Sequence, residues 1–90
     1  MAGRFKYLRA VSGKSYVEQI GVYYVCMSFD SQPERVRGKI DRLCAEAAGE
    51  HAAALKAYLT TPASWQEITQ RFYLSDRTLD RARQRFYELW

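Results

Sequence analysis

Arg77, Arg81 and Arg85 stand four residues apart near the end of the chain, so a helix through them stacks three guanidinium groups along one face. Like charges at that spacing repel one another and weaken an isolated helix. A bound anion relieves the repulsion, and arginine's planar fork suits the paired acceptors of a guanine edge. Arg77 and Arg81, near the start of such a helix, are the first candidates for base contacts. Gln84 could read adenine, and Asp80 could accept from a cytosine amino group. Ser75 and Thr78 could donate to phosphate at the helix N-terminus, where backbone amides already favour an anion. Arg71, Arg83 and Arg85 suit the sugar–phosphate backbone. The plainer reading is a helical hairpin whose acids and arginines pair across solvent, but Asp76 and Arg81 miss the i, i+4 spacing that such pairing favours.

Other chemistry finds little support. His51 is the single histidine and has no evident nucleophile or metal partner beside it. Cys26 and Cys44 each sit within an apolar run, 18 residues apart and without a CxxC pair, which reads as two reduced core thiols. Asp76 and Asp80 share a helical face but lie among arginines, as on a solvated surface. No catalytic residue, metal ligand or cofactor is expected, and the chain reads as a non-enzyme.

The arginine stripe needs a scaffold, and the last 27 residues supply one. Ile68 and Phe72 are one helical turn apart, Leu74 follows in a turn, and Leu79 and Ala82 begin a second apolar run. Those are the inward positions of a helix-turn-helix spanning residues 64–90. Ser64 and Glu67 make a capping box for the first helix, and Ser75 is placed to cap the second. Tyr73 occupies the turn position that glycine often holds, where it must pack or strain. Phe86, Tyr87, Leu89 and Trp90 close the chain and are expected to fold back on Trp65 and the central helices, whereas a solvent-facing Trp90 would mark a partner surface.

The preceding 63 residues read as further helices. Residues 1–14 form a basic N-terminal arm, whose Phe5, Tyr7 and Leu8 dock on the body or whose Arg4 and Lys6 lie along phosphates. Residues 15–30 are the most ambiguous. Ser15 and Glu18 fit a capping box, and Tyr16, Ile20, Tyr23 or Tyr24, and Met27 recur at helical spacing. Residues 22–29 are nonetheless rich in β-branched and aromatic side chains that also suit a strand. A helix is the favoured reading, apolar nearly all round and suited to a homodimer interface. Ser31 and Glu34 make a second capping box, with Val36, Ile40, Leu43, Cys44 and Ala47 inward and Gly49 as an αL cap. Residues 50–60 give a short helix with Leu55, Tyr58 and Leu59 inward. The expected architecture is all-α: a small bundle of about five helices, one domain over 15–90.

Composition agrees with one small globular unit: 90 residues, 48% hydrophobic and 27% charged. The formal charge of +4 is unevenly spread. Residues 1–14 hold four bases and no acids, residues 15–63 five bases and six acids, and residues 64–90 five bases and four acids. Attraction for a polyanion is therefore concentrated in the N-terminal segment. The longest apolar run, Val22 to Met27, falls far short of the roughly 20 residues a membrane-spanning helix needs. With no signal peptide in view, a soluble, cytoplasmic protein is expected.

Residues 48–90, AGEHAAALKAYLTTPASWQEITQRFYLSDRTLDRARQRFYELW, resemble small phage and prophage regulators of Gram-positive bacteria, the RinA-like and ArpU-like late-gene activators, which are in turn similar to region 4 of sigma factors. The resemblance covers slightly under half of the chain. It implies transcriptional control in a phage or mobile element, with Ser75 to Gln84 as the recognition helix on double-stranded DNA. A phage-encoded inhibitor that uses the same body to bind a host protein, such as RNA polymerase or a CRISPR effector, is the alternative. A DNA-packaging accessory protein is a third reading.

Overall fold

The computed structural model describes residues 5–9, 11 and 13–90. Among these the chain is all-α, with no strand: α1 (Tyr16–Met27), α2 (Glu34–Ala48), α3 (Ala52–Thr60), α4 (Trp65–Arg71) and α5 (Asp76–Leu89). Short 3₁₀ turns at Phe29–Ser31 and Gly49–His51 link the first three helices. Residues 22–29, the stretch open to either reading, are helical through Met27.

The helix starts follow from local chemistry. The Ser15 hydroxyl accepts from the Glu18 amide, and the Glu18 carboxylate accepts from the Ser15 amide. Ser64 and Glu67 repeat this reciprocal box at α4, and Ser75 caps α5 by accepting from the Thr78 amide at 3.1 Å. Each such cap satisfies amides that have no partner within the helix and is worth about 1 kcal/mol. Ser31 is different. It was expected to cap α2, but it ends the 3₁₀ turn, and Pro33 takes the cap position without a side-chain bond. Glu34 is then the first helical residue, too early to reach back and close a box. Gly49 does end α2, with φ 55° and ψ −120° rather than the expected αL geometry. That backbone region is open essentially to glycine alone.

One apolar core ties the elements together. It contains Leu8 and Val11 from the N-terminal segment, Val22 and Cys26 of α1, Ile40, Leu43 and Cys44 of α2, Leu55 and Leu59 of α3, Ile68 of α4, and Leu79, Phe86 and Tyr87 of α5. Each large apolar side chain buried in this way stabilises the fold by about 1.5–3 kcal/mol. α5 lies principally along α2, while α3 touches α1, α2, α4 and α5. The radius of gyration, 12.1 Å, matches the roughly 12 Å of a close-packed chain this long.

One inward face departs from expectation, and the C-terminal aromatics fold back on the central helices as expected. In α1 the buried residues are Gln19, Val22, Tyr23 and Cys26; of the expected face Tyr23 is buried, Ile20 and Met27 are half-buried and Tyr16 is exposed, so the face is turned from the Tyr16–Ile20–Tyr23–Met27 reading. At the C-terminus Trp90 packs against Phe86 and lies under the Lys39 ammonium of α2, 4.1 Å from the ring centre. Trp65 instead meets Tyr58 of α3 edge-on, with ring centres 5.1 Å apart. The two tryptophans therefore serve different contacts.

Candidate functional site

α4 and α5 are joined by residues 72–75, and the turn closes on itself. The Leu74 amide donates to the Thr69 carbonyl at 2.9 Å, bridging a residue in the left-handed conformation, as at many helix C-termini. That residue is Tyr73, with φ 56° and its side chain 93% exposed. The expectation that Tyr73 must pack or strain resolves as strain, because nothing in the body covers the ring. Ile68, Leu79 and Ala82 are buried in the common core, with Phe72 and Leu74 packed against it. Trp65 adds a polar tie, its indole N–H donating to Asp76 at 3.0 Å.

The capped, amphipathic α5 turns Leu79, Ala82, Phe86 and Tyr87 inward and leaves Arg77, Arg81 and Arg85 exposed. Among the described residues, none of Arg71, Arg77, Arg81 and Arg85 takes part in an ion pair. The acids at the start of α5 are occupied. Asp76 holds the Trp65 indole, and Asp80 accepts from Arg83 and, at 2.8 Å, from the Gln84 amide. The outward face thus offers unpaired guanidinium groups, while the carboxylates beside them are turned to intramolecular partners.

The candidate residues divide accordingly. Arg77 and Arg81 stand clear in solvent, as a base contact requires. Gln84 and Asp80 are half-buried and bonded to each other, so both would have to exchange partners to reach a base. The Ser75 hydroxyl donates to Thr78 Oγ1 at 2.9 Å, which makes the pair part of the cap. Arg71 and Arg85 are exposed. Arg83, expected on the phosphate side, is a correction: it is only 8% exposed. Its guanidinium carbon lies 4.6 Å from the centre of the Trp65 ring and 5.9 Å from that of Tyr58, with Asp80 as its ion partner. The aromatic faces and one carboxylate compensate a cation that burial alone would disfavour. Its Nε is buried without a hydrogen-bond partner. Lys6 is exposed, and Arg4 lies outside the described residues.

Surface hollows lie along both edges of α5. An open cleft of about 500 Å³ is lined by Lys6, Tyr58, Trp65, Asp76, Arg77, Asp80 and Arg83. A groove of about 280 Å³ on the opposite edge is lined by His51, Thr78, Arg81 and Arg85 with Ala47, Ala48 and Ala82. His51 is partly exposed there and sits 3.6 Å from Glu50. Basic side chains therefore border both edges of the helix.

Sequence reasoning missed two contributors. Trp65 packs against the core as expected and, beyond that, both orders Asp76 and covers Arg83. Gln19 was not singled out, although a lone glutamine on the buried face of an apolar helix is a legible signal. The remaining ionisable groups describe an inert interior. Burial pushes the Cys26 and Cys44 thiols up to about 12; Cys44 adds to the effect on Cys26, while Asp41 adds to and Lys56 opposes the effect on Cys44. The Glu18 and Glu67 carboxyls are held below their ordinary range by the amide bonds of their capping boxes. Among the described residues no three His, Cys, Asp or Glu side chains are grouped to hold a metal ion, and no helix is long and apolar enough to cross a membrane.

Comparison with protein-family models, with curated proteins and with solved structures finds no match to this chain.

Proposed function

We propose that the chain is a sequence-specific double-stranded DNA-binding regulator, of phage or prophage origin, whose α4–turn–α5 unit acts as a helix-turn-helix. The observation that carries this reading is the charge arrangement of α5. Among the described residues its exposed arginines take part in no ion pair, while Asp76 and Asp80 are bonded to Trp65, Arg83 and Gln84. An isolated helix gains nothing from such an arrangement, because Arg77–Arg81 and Arg81–Arg85 repel at i, i+4. A polyanion makes it favourable. The major groove, about 12 Å wide, admits a helix with phosphates on both sides. Lys6 beside one edge of α5, and Arg85 with His51 beside the other, suit that geometry. Arg77 and Arg81 then face base edges. The phage and regulatory assignment rests on the resemblance of residues 48–90.

The test is duplex binding by the purified protein at two salt concentrations, first to random and then to selected sequence, with light scattering on the same sample. Expected are a steep fall of affinity with salt and a tighter selected site. No binding at low salt would overturn the reading.

A second reading has its own observation. α1 exposes Tyr16, Val17 and Tyr24, with Val17 74% accessible. Apolar side chains on one helix favour a protein partner, either a second copy joined through residues 15–30 or a host protein such as RNA polymerase or a CRISPR effector. A dimer in light scattering supports the former. A stoichiometric complex with a host protein, without duplex affinity, supports the latter.

A further inference from the structure

The N-terminal segment is expected from sequence to be either an end whose aromatics dock on the body or a flexible basic arm. Its described part is held at Phe5, Leu8, Val11 and Lys14. Gln19, fully buried in α1, accepts from the Leu8 amide at 2.8 Å and donates to the Leu8 carbonyl at 3.0 Å, so one side-chain amide pairs with both polar groups of one residue. The same Nε2 reaches the Lys14 carbonyl at 3.2 Å. Leu8 and Val11 enter the core, and Phe5 packs edge-on against Tyr16 and Tyr23. Between these anchors Lys6 and Arg9 remain exposed. Both line a hollow of about 310 Å³ with Asp80, Arg83 and Gln84 of α5, and Lys6 also borders the cleft that holds Arg77.

From this we infer that residues 5–9 form a fixed basic wall beside α5, that Lys6 and Arg9 engage the phosphates of one DNA strand, and that Gln19 is the residue that positions them without touching DNA. The inference rests on the DNA-binding reading above and adds to it. A free arm loses conformational entropy on binding, whereas a wall held by Gln19 has lost that freedom during folding. Gln19 suits the task because an amide offers both a donor and an acceptor to the Leu8 backbone, which no apolar residue of similar size can do. Burial protects these bonds from competing water.

The experiment compares three proteins on random and selected duplexes across a salt series, with hydrogen exchange of the Leu8 amide as the structural readout. In the wild type that amide is expected to be protected. Lys6→Gln with Arg9→Gln, both on the surface, leaves the fold intact. It is expected to weaken every duplex alike and to lower the slope of log affinity against log salt by about 1.8, the release expected for two phosphates. Gln19→Leu keeps both cations but abolishes Leu8 protection. Its affinity is expected to fall at least about tenfold, since the two cations must be ordered anew. An unchanged slope in the double variant would overturn the inference while leaving the DNA reading in place. So would full affinity in Gln19→Leu with Leu8 exchanging freely. Should Gln19→Leu fail to fold, the double variant still decides. Absence of duplex binding by the wild type would overturn the DNA reading itself.

Discussion

At the scale of single residues, α5 sorts its arginines into two kinds. Arg77 and Arg81 contribute nothing visible to the fold, whereas Arg83 is built into it between Asp80, Trp65 and Tyr58. Arg77→Ala and Arg81→Ala are expected each to weaken the preferred duplex by about 1–3 kcal/mol, with stability changed by less than about 0.5 kcal/mol. Arg83→Ala is expected to do the reverse. It leaves Asp80 without its ion partner and opens a gap beside Trp65, at a cost of about 2 kcal/mol in stability. Thermal unfolding and duplex titration on the three variants check the split, and equal stability losses would refute it. Sequence alone could not separate these arginines. Arg83 follows Ala82 at the border of the apolar stripe, and whether a border residue is covered depends on Trp65, which arrives from another helix.

At the scale of elements, what was legible is what is decided locally. The capping boxes at Ser15 and Ser64 and the cap at Ser75 depend on residues three apart, and each forms as read. Ser75→Ala is expected to cost about 1 kcal/mol in urea unfolding, because α5 then begins with amides that lack a partner. The Ser31 box does not form, and its failure is not local: the exit from α1 takes a 3₁₀ turn that uses Ser31 before α2 begins. The face of α1 was legible only in part: Tyr23 is buried as its spacing predicts, but Tyr16 is exposed and Gln19 is buried, because the bonds that hold it reach Leu8, eleven residues away. Tyr73 offers the sharpest test at this scale. A side chain in the left-handed region costs about 1–2 kcal/mol, and the ring recovers none of it by packing. Tyr73→Gly is expected to raise stability by about 0.5–1 kcal/mol after the entropy cost of glycine, measured by urea unfolding. A loss of stability would mean that the ring has a contact the fold requires; a loss of duplex affinity without loss of stability would place it on the binding surface.

For the whole molecule, all-α architecture follows from the apolar periodicity, but the joining of its two ends does not. Leu8 and Val11 share one core with Phe86 and Tyr87, so the segment richest in positive charge becomes part of the body beside α5. That core also gathers three ionisable groups from three helices: Cys26 of α1, Cys44 of α2 and Tyr87 of α5. Burial raises all three, the thiols from an ordinary 9.0 to about 12 and the Tyr87 phenol above its usual value as well, with Cys26 and Tyr58 adding to the latter. The direction fixes the pH dependence. Well below pH 9.0 the groups are neutral in both folded and unfolded chains, so the stability they confer is fully present. As pH rises further the unfolded chain releases these protons and the folded chain retains them, so stability falls progressively until about pH 12. Urea unfolding between pH 8 and pH 11 is therefore expected to show a decline that becomes shallower when Cys26→Ala and Cys44→Ala remove two of the three groups. Over the same range a thiol reagent is expected to label the native protein far more slowly than the urea-unfolded one. Rapid labelling of the native chain, or a slope indifferent to both cysteine substitutions, would show that the two thiols ionise without opening the core that joins α1, α2 and α5.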